Sequence, residues 1–422
     1  MNNTDYFRAK RYPLNDQKSE DFIYTEDLLG LIDNEELREL IINKYNLDKN
    51  YQIEIEKVEF LYNLIRLYSR RFKLIRLEAK ESDVSSELKF DSESQKPVYI
   101  FTIKNGVENE GESEIVYDSL EAEAIYDSIN LFYNDKSLSQ YVKSLGKKPN
   151  KKRLLNDLNN SWSAYYSNNK DSAKTKLFRI LSHGDDYYLK SINSSSYKEY
   201  GIAESFVMAL LELNKFKTSN PETEFFISSV SISESKLDLI ISQKKAIKLG
   251  DIGFLRSSIS IRNEDQGNTS FGVYNALEFF PSSSSTKKIY LFPNQDENKI
   301  KNSVVSKHTV SSEKFFETFS SVSELFNLGE VMKNDFHFYN GSKDYDELRS
   351  KIEHKLVTNN SPFKNVTKLK DLFSREKTGH IENLETLLRI CAESDSIEME
   401  YDLKFRLRYL ISNVLLYNSN KY

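Results

Sequence analysis

Apolar residues recur three and four apart in V-E-F-L-Y-N-L-I-R-L-Y-S-R-R (Val58 to Arg71), the spacing of one helical stripe. Glu26 to Tyr45 repeats that rhythm and predicts one or two amphipathic helices. Between about 170 and 310 the rhythm changes to alternation or short apolar runs bounded by Gly, Asn and Ser. Strands are predicted there at Lys176–Leu181, Tyr187–Ile192, Glu224–Ile232, Leu237–Ser242, Ser258–Ile261, Ser270–Phe279 and Lys288–Phe292, with one helix, Ile202–Leu213, among them. Most connections are too short for helical crossovers, so the sheet should be mostly antiparallel. Upstream, strands are expected at Lys73–Ala79, Ser86–Phe90 and Val98–Lys104, then a helix over Ser119–Phe132. The tail reads as helices at Ser311–Phe319, Asn383–Glu393 and Met399–Tyr417, the first behind a Ser N-cap. The expectation is an α+β protein in three parts: a mixed N-terminal domain (1–165), a strand-rich central domain (166–310) and a C-terminal helical segment (311–422). G-K-K-P-N-K-K-R (Gly146 to Arg153) reads as the linker between the first two.

Composition narrows the classes. The 422 residues include 26 Tyr and 26 Phe, ample for a large core. With 59 basic against 64 acidic residues, a net charge of −5 excludes a globally basic coat but not a local basic face. Cys391 is the only cysteine, so an intrachain disulfide and a cysteine-rich zinc site are both excluded; on a helical pattern it reads as a buried small residue. The N-terminus lacks an apolar signal core, and no run approaches the roughly 20 apolar residues of a membrane span. A soluble protein of the cytoplasm, bacterial or of an infected host cell, is expected.

Cationic clusters carry the first candidate chemistry. Arg66 and Arg70 lie four apart at the end of the Val58–Arg71 helix, with Arg71 beside them; a helix C-terminus favours cations through its dipole, and the surplus is suited to phosphate. Lys147, Lys148, Lys151, Lys152 and Arg153 form the densest positive run; such a run is usually a solvated linker, yet it is the preferred nucleic-acid contact in this chain. The strand K-L-I-R-L-E-A-K ends in Glu78-x-Lys80, the metal-and-base half of a nuclease site, but the preceding helix offers no partner Asp. His183 to Tyr187 (H-G-D-D-Y) reads as a hairpin turn before it reads as an acid–base site. The five histidines show no metal-ligand spacing, no phosphate-binding Gly loop occurs, and no metal or cofactor is implied.

Four segments share a pattern with a known family. They are F-R-I-L (Phe178 to Leu181) with Y-Y-L-K-S-I-N-S-S-S-Y (Tyr187 to Tyr197), L-D-L-I-I (Leu237 to Ile241), L-G-D followed by I-S-I-R-N-E-D-Q-G (Leu249 to Asp251, Ile259 to Gly267), and the Lys307, His308, Thr309 step. Together they resemble the phage- and plasmid-associated family catalogued as domain of unknown function nine-three-two, over about a third of the chain. The resemblance implies a mobile-element setting (replication, recombination or conflict with the host) and brings no activity with it. It also favours a binding role for the polar bend after Ile261, with Asn263 and Glu264 as its residues.

The resulting expectation is a non-catalytic mobile-element protein that binds nucleic acid or a nucleic-acid-processing complex. The alternatives are a Mg²⁺-dependent nuclease using Glu78 and Lys80, and a protein-interaction subunit of a phage transcription or defence complex.

Overall fold

The computed structural model describes residues 3–417 except 15–18, 48, 92–95, 111–112, 135, 148, 170–172, 250–252, 267–269, 282–286, 294–302 and 327–343. The N-terminal stretch contributes β1 (Lys10–Arg11), β2 (Phe22–Tyr24), α1 (Thr25–Leu29), α2 (Glu35–Tyr45), β3 (Gln52–Glu54) and α3 (Val58–Ser69). The α3 stripe read from the sequence is real: Val58, Leu61, Leu64, Ile65 and Tyr68 are buried.

A barrel follows. It comprises β4 (Lys73–Lys80), β5 (Val84–Phe90), β6 (Pro97–Glu110), β7 (Ser113–Ala124), the helices α4 (Ser128–Asn134), α5 (Ser139–Leu145) and α6 (Lys152–Asn168), then β8 (Thr175–His183) and β9 (Asp186–Asn193). β4 and β5 act as halves of one bent strand, β4 pairing with β8 and β5 with β6. The order β4–β8–β9–β7–β6 closes on itself, because β6 returns to β4 at Leu77↔Glu108 and Glu78↔Val107. Gly106 permits this approach: a Cβ there would stand 2.6 Å from the Leu77 side chain. β7 and β9 are parallel, and the other barrel pairs are antiparallel. A five-strand Greek-key closure with a bent first strand and helices between its third and fourth strands is the topology of an OB-type barrel. Ile75, Leu77, Ala79, Phe101, Ile103, Phe178, Ile180 and Leu189 fill it.

α7 (Ile202–Ser219) leads into a second sheet of β10 (Phe225–Ile232), β11 (Lys236–Gln243), β12 (Ile247–Leu249), β13 (Gly253–Glu264), β14 (Ser270–Phe280), β15 (Ile289–Leu291) and β16 (Ser303–Lys307). Its order is β1-β10-β11-β13-β14-β15, with β12 on β13 and β16 on β14, and every one of these pairs is antiparallel. The period of two in β11 divides it: Leu237, Leu239 and Ile241 join the core of α3, α7 and α8 (Ser312–Ser320), while Ile240 packs with Tyr290 and Phe292 on the other face. The chain then forms α9 (Tyr345–Val357), α10 (Thr367–Phe373), α11 (Arg375–Thr378), α12 (Leu384–Ser396) and α13 (Tyr401–Tyr417). All of these helices but α11 share a core with Leu255, Leu277, Phe279, Ile289 and Leu291. Cys391 is fully buried in it, and burial pushes its thiol up.

The α+β class and the antiparallel central sheet stand as expected. Three expectations need correction. The boundary at 165 cuts the barrel, because β8 and β9 pair with β4 and β7 rather than with the central sheet. Ser119–Phe132 is not one helix: β7 runs to Ala124 and α4 begins at Ser128. Gly146–Arg153 is not a linker, since it joins α5 to α6 and α6 packs on β5, where the Asn159 amide donates to the Ser86 carbonyl.

Candidate functional site

The arginines at the end of α3 share one surface depression. Asn63, Arg66, Leu67, Arg70 and Arg71 line it together with His183 from the β8–β9 turn. That turn is the hairpin read from the sequence, with Gly184 at φ 62° and His183↔Asp186 closing it. Arg66 is exposed; Arg70 donates to the Gly30 carbonyl, and Arg71 donates to Asn3 Oδ1 at 2.9 Å while lying over the Tyr6 ring. None of the three forms an ion pair with a described carboxylate, and no acidic residue lines the depression. Leu67 stands 48% exposed among them.

The other basic segment is elsewhere. Lys147 and Arg153 are exposed, Lys151 is half-buried, and Lys152 is 2.7 Å from Glu87 of β5. Lys148 lies outside the described residues. Lys151, Lys152 and Arg153 sit at the N-terminal end of α6, where the helix dipole disfavours cations.

One expected site resolves into a structural role, and a second is placed on its strand face. Asn263 is not on a loop: it is buried near the end of β13, and its amide donates to the Tyr200 and Gly201 carbonyls and to Ser205 Oγ, fixing the start of α7. Glu264 ends the same strand and pairs with Lys236 at 2.6 Å. Glu78 and Lys80 lie on the face of β4 opposite buried Ile75, Leu77 and Ala79. No group of three His, Cys, Asp or Glu side chains among the described residues stands close enough to hold a metal ion.

Sequence reading missed the most strongly perturbed cluster. Arg179, in mid-β8, is fully buried. Its Nη2 is 2.5 Å from Asp265 Oδ2, its Nε donates to Glu199 at 2.9 Å and its Nη1 to Ser191 at 3.1 Å. Lys190 of β9 reaches Asp265 at 2.8 Å and Glu234 at 2.7 Å. Tyr197 donates to Asp265 Oδ1 at 2.5 Å and stacks on His308, ring centroids 5.2 Å apart. The barrel supplies the cations and the central sheet supplies Glu234 and Asp265, so the cluster is an ionic joint between them. Against the opposing cost of burial, Arg179 and Lys190 hold the Asp265 carboxyl well below the usual carboxylate range. Burial pushes His308 down.

A cleft of about 380 Å³ opens beside this joint, lined among others by Asn34, Tyr68, Lys190, Glu199, Glu204 and Asp265. Glu204 sits in the first turn of α7 and accepts from the Gly201 amide at 2.8 Å. Burial, then the charges of Asp265 and Glu199, push its carboxyl up to about 7. It therefore exchanges a proton near neutrality, the capacity of an acid–base group. The signal in the sequence was an arginine inside the apolar run F-R-I-L. Residues of separate motif segments (Arg179, Tyr197, Asp265 and His308) meet here.

No family model matches the chain, and neither a curated protein nor a solved structure matches it. No helix of the described residues is long and apolar enough to cross a membrane.

Proposed function

We propose that the chain binds nucleic acid, holding the phosphate backbone on the arginine face of α3 beside the β8–β9 turn. The observation that carries this is Arg66, Arg70 and Arg71 around one open depression with no carboxylate partner among the described residues. In a chain of net charge −5, arginines without ion pairs on one surface are a ready phosphate contact. The barrel topology supports the reading by fold analogy, since OB barrels often bind oligonucleotides. The usual face of such a barrel does not: on β7, Glu114, Asp118 and Glu121 are exposed, and they repel phosphate. The strand is therefore held at the α3 end. The mobile-element setting rests on the sequence resemblance and the non-catalytic role on the lack of a catalytic motif in the sequence; both belong to the same proposal.

The test is a binding titration with single- and double-stranded DNA and RNA over a salt series. The slope of log affinity against log salt is expected to fall by about 0.7–0.9 for each phosphate contact removed. Arg66→Glu is the cleanest variant, because Arg66 has no side-chain partner to lose among the described residues. Unchanged affinity and slope in this variant and in the Arg66→Gln, Arg70→Gln, Arg71→Gln triple variant would reject the assignment.

A further inference from the structure

A second, chemically different cavity lies where the N-terminal strand meets the C-terminal helices. It measures about 400 Å³, and β1, β10, β11, α13 and the α12–α13 connection line it. Lys10, Arg11, Lys404 and Arg408 bring four cations to it, and Asp238 and Glu398 are its lining acids. Beneath them the buried carboxylate of Asp395 serves two guanidiniums at once, Arg408 at 2.7 Å and Arg11 at 3.3 Å. Among the described residues no carboxylate stands at ion-pair distance from Lys404. Its ammonium donates instead to the carbonyls of Asp395 (2.6 Å) and Ile397, around the C-terminus of α12.

Helix capping accounts for two of the three Lys404 protons. It does not account for the surrounding charge. Burial pushes the Lys404 ammonium down to about 8 against the pull of Asp395, and the fields of Arg408 and Arg11 add to the fall; four cations here face the three carboxylates of Asp238, Asp395 and Glu398. Nor does capping explain Ser229 and Ser231. Both line the cavity, and neither hydroxyl makes a side-chain hydrogen bond among the described residues, although Ser229 is only 6% exposed. Unbonded hydroxyls on the wall of a cavity that four cations also line can donate to an anionic acceptor.

We infer that this cavity binds a small organic phosphate monoester, with the phosphoryl oxygens between Arg11, Lys404 and the Ser229 and Ser231 hydroxyls. Ala9, Ile397 and Met399 give the cavity an apolar side against which the organic part rests. Its volume lies within the range of small-molecule sites, roughly 300–1,000 Å³. An adjoining depression of about 170 Å³ shares Arg11, Ser229 and Ser396 and adds Asp395, Lys287 and Lys288, the two lysines pairing with Glu393 and Glu278. This site is independent of the α3 arginines.

The experiment is calorimetric titration of the intact chain near neutral pH with AMP, glucose 6-phosphate, inorganic phosphate and adenosine. A phosphate monoester is expected to bind saturably at one site, inorganic phosphate to compete weakly, and adenosine not to bind. Ser231→Asp places a carboxylate at the half-buried rim and is expected to weaken binding by at least ~10-fold. Lys404→Met should do the same. Because Lys404 also caps a helix, Ser231→Asp with an unchanged unfolding transition is the deciding variant. Arg66→Glu should leave monoester affinity intact. The inference is overturned by the absence of saturable monoester binding up to about 10 mM, by inorganic phosphate binding as tightly as the monoesters, or by full affinity in Ser231→Asp.

Discussion

Glu204 offers the sharpest test of the electrostatics at the joint between barrel and sheet. Its carboxyl ionises at about 7 instead of the ordinary 4.5. The folded state therefore holds a proton that the unfolded state has released, and stability must fall as pH rises between these values. The contribution is complete below 4.5 and is lost once pH passes 7. At about 1.4 kcal/mol per pH unit, the full cost is about 3 kcal/mol, of which about 2.5 kcal/mol falls between pH 5 and pH 8. Glu204→Gln removes the ionisation and retains an oxygen to accept the Gly201 amide. Urea unfolding of both proteins at pH 5, 6, 7 and 8 isolates the effect, because other titrating groups are common to both. The variant should gain about 2.5 kcal/mol on the wild type across that range, with most of the gain below pH 7. A stability difference independent of pH would refute the reasoning, since it would mean that the carboxyl does not carry its proton to neutrality.

Other consequences are open to direct measurement. Asp265→Asn leaves Arg179 and Lys190 buried without their shared carboxylate and should cost about 3–5 kcal/mol in denaturant unfolding; a loss below about 1 kcal/mol would show that the joint does not hold the units together. Gly106→Val should destabilise by about 1–3 kcal/mol, because its side chain meets Leu77 where β6 closes on β4, and an unchanged melting temperature would contradict that closure. Cys391, buried with its thiol pushed up, should resist a thiol reagent in the native protein and react upon unfolding; rapid native labelling would contradict the burial.

The parts of this fold legible in sequence were those with one clear period. α3 and α7 declared themselves by apolar stripes, and β8, β9, β10 and β11 by short runs between turn residues. β7 did not. Its S-L-E-A-E-A segment combines good helix formers with an alternation of two, and barrel pairing with β6 and β9 overrides the propensity. The Gly-Lys-Lys-Pro segment has linker composition, yet its Pro and Gly mark only the break between α5 and α6. The same limit governs the sites. Arg66, Arg70 and Arg71 were visible because helical spacing gathers neighbours in sequence. Glu199, Glu204 and Asp265 lie up to 66 residues apart and take their chemistry from a burial that only tertiary packing creates. Asn263 was misassigned for a related reason: an amide that fixes a helix start from a neighbouring strand looks, in sequence, like any polar residue in a bend.

The bond from Arg11 to the Asp395 carbonyl joins residues 384 apart. A chain emerging in order from a ribosome cannot form it until α12 has been made, nor can β1 take its edge of the sheet before β10 exists. The first strand is thus among the last pieces to settle. Contacts this distant in sequence slow folding, because loop closure must precede any gain from packing. Until β10 is made, β1 waits without its partner strand, and a second copy whose β10 edge is uncovered can take it up. Exchange of that strand between copies is therefore the misfolding route to which this architecture is most exposed.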